Sequence, residues 1–429
     1  MTRRTLAEWL DFQQRVHPRA MDFTLERIRA VLGRLGALRP RAPVITVGGT
    51  NGKGSVTAML EAVLLAAGRR VGLYTSPHLA RYEERIRIDG REIAAERLVG
   101  LFERIEAARG EITLTYFEYS TAAALLAFAA EPLDAIVLEV GLGGRLDAVN
   151  VVDADVAVVV SVSLDHMDYL GPTVEDIGRE KAGIFRAGRP ALFGSLAMPD
   201  SVGAEAARIG ARLERLGAAF GAEREADGFT FWHGATRLPG LPPPALAGLA
   251  QYANAATALA ALDAAGWLPP SAVVAAGLRH VQLAGRYQVV AGPVEWVFDV
   301  AHNPGSAAVL ADTMRERRPT GRTIVVAGVL ADKDAAAVGR ELARALGARD
   351  LICTVTLEVE RGRSAHDLAS VWEPILGRPV ATAASVGDGC AFAAHSAERG
   401  DRVVVFGSFH TVAPALEWHR LYSAARPRS

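Results

Sequence analysis

The sequence predicts an α/β protein of two domains, each built on a mainly parallel sheet. Three observations lead there. Short β-branched and aliphatic runs alternate with helical patterns through most of the chain. The residues able to do chemistry fall just after such runs, where ligands bind in open parallel sheets. The pattern also breaks and then restarts around Leu283 to Tyr287, which divides the 429 residues into a larger unit, 1–284, and a smaller one, 285–429.

The elements follow in order. The chain opens Met1-Thr2-Arg3-Arg4 and turns amphipathic, with Trp9, Leu10 and Phe12 among charges and without the apolar core of a signal peptide. Val44 to Val47 is a strand, followed by a glycine-rich turn and a helix from about Ser55 to Ala67. Val71 to Tyr74, Ala135 to Val140 and Val156 to Val162 read as further strands, and Ala122 to Ala130 as a core helix. None of these apolar stretches is long enough to span a bilayer. Phe229 to Pro244 holds Gly, Trp, His and a Leu-Pro-Pro-Pro run and reads as a hairpin, then irregular loop. An alanine-rich helix, Tyr252 to Ala265, comes next. In the second unit Val294 to Val300, Thr323 to Val329, Asp350 to Thr354 and Arg402 to Phe406 are strands with helices between them, as in a small Rossmann-like domain.

Composition narrows the function. Half the residues are apolar and 22% are charged, so a large core forms. A net charge of −1 carries no basic surplus for nucleic acid. Two distant cysteines, Cys353 and Cys390, make neither a disulfide framework nor a zinc pattern, which suits a reducing cytoplasm.

The strongest local signal is Gly48-Gly49-Thr50-Asn51-Gly52-Lys53-Gly54-Ser55, after a strand and at the start of a helix. Glycines let backbone N–H groups turn onto phosphate oxygens, and the helix N-terminus adds partial positive charge. Lys53 can neutralise β- and γ-phosphates, and the Ser55 hydroxyl can reach Mg²⁺ or a phosphate. The common Walker pattern is not fully kept, because Val47 stands at its first glycine and Gly54 at its usual Ser/Thr. The strand–loop–helix context makes the first unit a P-loop mononucleotide-binding domain rather than one with a plain glycine turn.

Glu139 ends an apolar strand and is expected to face the crevice, not the core, where it can hold Mg²⁺. The plain alternative is a solvated strand-end acid. In Asp165-His166-Met167-Asp168, His166 is a candidate for a metal or a phosphate, against a structural histidine. Ser76 would be an ordinary turn serine but for its position at a strand's carboxyl end. Lys181 reads as a surface lysine.

Together these residues resemble the Mur ligase superfamily, and within it the bacterial folylpolyglutamate synthases, which are often bifunctional as dihydrofolate synthases. The marks are Gly49 to Ser55, Ser76-Pro77-His78-Leu79, Phe117-Glu118, Glu139 to Ala148, Asp165-His166, Glu180 to Ile184, Asp299 to Pro304, Asp332-Lys333-Asp334 and Gly407 to His410. Each is weak alone; their order and spacing over nearly the whole chain are specific. The resemblance implies an ATP-dependent ligase that activates a carboxylate as an acyl phosphate and joins it to L-glutamate. It implies that Thr50, Asn51, Gly52, Lys53, Gly54, Ser55, Asn254, Arg286 and Asp299 hold ATP. It implies that Ser76, Glu139 and His166 bind Mg²⁺, and that Lys181 is carbamylated and supports a second ion. Lys53, His166, Lys181 and His302 would act in catalysis, with Asp299 and His302 closing over the nucleotide from the second domain. Phe117, Asp147 and Ala148 match positions that contact the pterin, with Thr115, Tyr116, Glu118 and Leu146 beside them. Asp22, Phe23 and Thr24 match a loop of the dihydropteroate pocket of bifunctional members. The sequence departs from the family at Ala284, where proline is usual, and at Thr24, where glycine is common.

Within the folate resemblance the alternative is a monofunctional folylpolyglutamate synthase, and outside it three readings compete. One of them is a catalytically dead binding protein, against which Lys53, Glu139 and His166 are all present. A ligase acting on a peptidoglycan precursor is expected to carry a further N-terminal domain, for which the segment before Gly48 leaves little room. A P-loop switch would carry a base-reading motif such as Asn-Lys-x-Asp, which the sequence lacks. The expected partners are therefore small molecules (dihydropteroate, reduced folates and L-glutamate), with neither nucleic acid nor membrane, and the expected state is a monomer.

Overall fold

The computed structural model describes residues 4–19 and 21–425, so Met1, Thr2 and Arg3 of the amphipathic opening lie outside the described residues. The chain forms two compact units, 1–245 with 252–281, and 246–251 with 282–429. The sequence boundary at Ala284 therefore moves to between Val281 and Gln282. The short segment 246–251 joins the second unit because Ala247 packs into that unit's core.

The first unit is built on an eight-stranded sheet. Its strands are β1 (Val44–Gly48), β2 (Val71–Tyr74), β3 (Ile86–Ile88), β4 (Arg91–Glu92), β5 (Ala135–Glu139), β6 (Val156–Val159), β7 (Pro190–Phe193) and β8 (Arg212–Arg215). The order is β4-β3-β2-β5-β1-β6-β7-β8; β3 runs antiparallel to its neighbours β2 and β4, and all other pairings are parallel. β1 and β5 are buried along their whole length, which explains their unbroken aliphatic runs. The chain leaves β1 for β2 and later returns to pair β5 and β6 on either side of it. This is a switch point, where a crevice opens beyond the carboxyl ends.

The helix Lys53–Ala66 follows β1 directly and is apolar nearly all round, as a helix packed on a sheet requires. One core cluster contains Trp9, Phe102, Tyr119 and the alanines Ala122 to Ala124, and a second lies around Phe185 and Phe193. The expected hairpin gains a partner: β9 (Phe220–Glu225), β10 (Gly228–His233) and β11 (Thr236–Leu241) form a three-stranded antiparallel sheet. β9 escapes a sequence reading because its second half, Glu223-Arg224-Glu225, is charged.

The second unit carries β12 (Gln288–Val290), β13 (Glu295–Asp299), β14 (Thr323–Ala327), β15 (Leu351–Val355), β16 (Ala381–Ala383) and β17 (Arg402–Phe406). Their order is β12-β13-β17-β14-β15-β16, with only β12 antiparallel. Among the described residues no helix is long and apolar enough to cross a membrane.

Candidate active site

Register brings the candidate residues to one edge of the first sheet. Val47 lies opposite Glu139, Gly48 opposite Val159, and Tyr74 opposite Leu138. The residues that follow β1, β2 and β6 and the last residue of β5 therefore meet at the carboxyl edge.

The phosphate loop is fastened by the segment after β6. Thr50 N donates to Ser161 O at 2.8 Å, Asn51 N to Ser161 Oγ at 3.0 Å, and Ser161 Oγ to Asn51 O at 2.9 Å. Ser163 N donates to Thr50 Oγ1 at 3.1 Å. Gly52 has φ +87°, and a Cβ there would meet Val160 Cγ1 at 2.8 Å and Asn254 Oδ1 at 2.9 Å. Asn254, distant in sequence, is thus at the loop. Gly54 and Ser55 are buried on the first helical turn.

Lys53 Nζ donates to Gly49 O at 2.9 Å and to Thr50 O at 3.3 Å. Lys181 Nζ donates to the same Gly49 carbonyl at 3.1 Å. Lys181 is 4% exposed, which overturns its reading as a surface lysine. Burial, then the nearby Lys53 charge, lowers its pKa from 10.5 to about 7. Helical periodicity could not show this, because the surface that covers Lys181 comes from the phosphate loop.

Glu139 is 3% exposed, so it is not a solvated strand-end acid. The Thr75 hydroxyl donates to its carboxylate, and Ser76 N lies 3.4 Å from the same oxygen. Sequence reading missed Thr75, whose neighbour Ser76 held the motif. His166 has φ 52° and ψ 39°, a left-handed conformation at the start of a short helix, with Nε2 3.9 Å from Asp165 Oδ1. Among the described residues no group of three or more His, Cys, Asp or Glu side chains could hold a metal. Ser76 and Glu139 nonetheless fit Mg²⁺, which takes few protein oxygens and completes its shell with water and phosphate.

The acceptor candidates divide by what already holds them. Thr115 caps the helix Tyr116–Ala129 and Glu118 completes the capping box. Glu118 is buried and pairs with Arg27 at 3.3 Å; burial raises its pKa. Arg27 also pairs with Asp22 at 3.0 Å, and His17 Nε2 lies 3.3 Å from Asp22. Sequence reading found Asp22 and Glu118 but neither Arg27, which bridges them, nor His17. The Glu26 carboxyl pKa beside Thr24 is lowered, chiefly by its own backbone N–H. Asp147 accepts from Leu142 N at 2.8 Å and Val149 N at 3.0 Å, which fixes the loop bearing Leu146 and Ala148. Burial raises its pKa to about 6.

Aromatic rings supply the apolar part. A Cβ on Gly141 would meet Phe117 Cζ at 2.5 Å, so the ring lies on the backbone just past β5. Phe23 meets Tyr169 edge-on at 5.7 Å. Tyr169, Met167 and Leu164, close to His166 in the chain, are about half exposed.

In the second unit Asp299 accepts from Tyr287 N and Ala301 N, both at 2.7 Å; burial raises its pKa and Arg286 opposes the rise. The Arg286 guanidinium lies 5.3 Å from the Phe409 ring. His302 Nδ1 donates to Val300 O at 2.9 Å. These three residues cluster at the carboxyl end of β13.

A family profile described as the Mur ligase middle domain matches residues 47–227, and one described as the Mur ligase, glutamate ligase domain, matches 285–409. The dihydrofolate synthase/folylpolyglutamate synthase of Escherichia coli K12 is 44% identical over 412 residues, 96% of this chain and 95% of that one. The structure of E. coli FolC in complex with DHPP and ADP superposes with a TM-score of 0.92 at 42% identity, over 98% of this chain and 99% of that one. The bifunctional folylpolyglutamate synthase/dihydrofolate synthase of Yersinia pestis, complexed with AMPPNP and Mn ion, gives a TM-score of 0.89 at 42% identity, over 97% and 98%.

Proposed function

The chain belongs to the dihydrofolate synthase/folylpolyglutamate synthase family of Mur-type ligases, and from that premise we propose its reaction and the residues that carry it. It is an ATP-dependent acid–amino-acid ligase. It joins L-glutamate to dihydropteroate, forming dihydrofolate, and to tetrahydrofolate polyglutamates, releasing ADP and phosphate. The observation that carries the reading is the convergence of Lys53 and Lys181 on the Gly49 carbonyl, next to the strand edge that ends in Glu139.

An acceptor carboxylate is a poor electrophile. One of its oxygens attacks the γ-phosphorus of ATP, the bond to ADP breaks, and an acyl phosphate results. This step needs charge neutralisation and in-line placement more than proton transfer. Lys53 and the amides of the phosphate loop supply the charge, and Asn254 lines the nucleotide side. Mg²⁺, held by Ser76, Glu139 and His166, neutralises phosphate charge when bound. The amine of glutamate then attacks the acyl carbon, and phosphate leaves. Carbamylation of Lys181 turns a buried cation into an anion suited to a second magnesium ion; its low pKa supports this, because only the neutral amine adds CO₂. Phe23, Tyr116, Phe117, Asp147 and Ala148, with Asp22, Thr24, Thr115, Glu118 and Leu146 around them, form the acceptor pocket, which we assign to the first unit. Arg286, Asp299 and His302 bind nucleotide from the second. The enzyme acts as a cytoplasmic monomer on small molecules, without nucleic acid or membrane.

Phosphate release from MgATP with L-glutamate, with dihydropteroate and tetrahydrofolate offered separately, tests the reading. Release with both, matched by glutamylated product, is expected. Release with tetrahydrofolate alone would make it a folylpolyglutamate synthase and remove the dihydropteroate pocket.

A further inference from the structure

A buried charge is normally paired, because leaving it alone in a low-dielectric interior is costly. Arg85 is 6% exposed. Its Nε donates to His78 Nδ1 at 2.8 Å, and its guanidinium lies 5.3 Å and 5.5 Å from the rings of Tyr82 and Tyr116. Among the described residues no carboxylate pairs with it, and its Nη1 and Nη2 carry no hydrogen bond. Neither terminal nitrogen is among the buried atoms sealed without a partner, so both reach accessible space. Arg402 makes the contrast. It is 1% exposed, but its Nη atoms donate to Tyr287 Oη, Thr323 Oγ1 and the carbonyls of Met314 and Arg317. The Nη atoms of Arg402 are bonded within its own fold and those of Arg85 are not.

Position says what would complete it. Arg85 O accepts from Thr75 N at 2.9 Å, and Thr75 holds Glu139. On its other side Tyr116 precedes Phe117, whose ring lies on Gly141. The guanidinium thus stands between the strand end carrying Ser76 and the start of the helix carrying the acceptor candidates.

Resting on the acceptor reading above, we propose that Arg85 binds the carboxylate of the acceptor, the group that attacks ATP. A planar guanidinium with two open N–H edges matches a carboxylate as a fork. Its aromatic neighbours favour an acid carried on an aromatic ring over free glutamate. Arg85 keeps its protons throughout; it holds the anion in place while one oxygen attacks phosphorus.

The test measures binding of pteroate and of its carboxamide, without ATP, to wild type, Arg85→Met and Arg85→Lys. A charge-assisted fork gives wild type a preference for the acid of roughly 10- to 100-fold. Arg85→Met is expected to lose that preference while binding the amide as wild type does, with ADP affinity unchanged as the control for folding. Arg85→Lys is expected to keep part of the preference, and serves if the methionine variant fails to fold. In turnover the KM for dihydropteroate rises and that for L-glutamate does not. A variant that keeps the full acid preference, or a rise confined to the glutamate KM, overturns the assignment of Arg85. Wild-type protein that turns over neither acceptor removes the acceptor reading itself, and this inference with it.

Discussion

Lys181 shows how burial changes what a side chain can do. A lysine whose pKa falls to about 7 in the folded chain, against 10.5 when free, opposes folding. The opposition is complete below about pH 7 and fades as the pH approaches the free value. Lys181→Met is therefore expected to stabilise the protein most below pH 7 and least at alkaline pH, as read by denaturant titrations across pH. The same shift governs carbamylation. With ¹³C-bicarbonate, a carbamate signal absent from Lys181→Met should grow as the pH is raised through about 7; a signal insensitive to pH there would contradict a buried amine. For the phosphoryl step, Lys53→Ala and Glu139→Ala are each expected to cut turnover about a hundredfold or more while the melting transition survives. Normal turnover in either purified variant would remove that residue from the site.

At the level of elements, the phosphate loop works because β1, the loop and the next helix are held in register by Ser161 and Ser163. Gly52→Ala places a methyl group against Val160 and Asn254 at a backbone angle that L-residues rarely adopt. It is expected to weaken ADP binding at least tenfold with little change in global melting, because the distortion is confined to the loop. The start of the helix Tyr116–Ala129 depends on Arg27. Arg27→Met leaves Glu118 buried without its cation, an expected loss of about 2–3 kcal/mol, below the range for a fully enclosed pair because Arg27 is partly exposed. Thermal or urea denaturation reads this directly.

For the whole molecule, both cysteines lie in the second unit, on β15 and the helix Val386–Ser396, and burial raises their pKa values to about 11 and about 12. Thiolate is the reactive form. Thiol labelling is therefore expected to be negligible in native protein and to begin only when the second unit opens. The labelling midpoint in denaturant then reports that unit by itself. Rapid labelling under native conditions would show that its core is not closed as described.

Much of the fold was legible in the sequence because local rules wrote it. Aliphatic runs such as Ile136 to Leu138 identify buried parallel strands, and Gly49 to Ser55 identifies a phosphate loop by backbone freedom, one lysine and a helix start. The family followed from the order of such motifs, and with it the ligase chemistry. The tertiary structure alone decided the state of the side chains. Lys181 looked exposed and is buried, because its cover comes from Gly49, 132 residues away. Glu139 takes a hydrogen-bond partner from Thr75, a neighbour only across β2 and β5. Arg27 carries no motif, yet it pairs with Asp22 nearby and with Glu118, 91 residues further on. Periodicity and turn chemistry act over a few residues and can be read along the chain. Burial, charge pairing and pKa depend on which distant segments share a low-dielectric volume, and only the folded chain sets that.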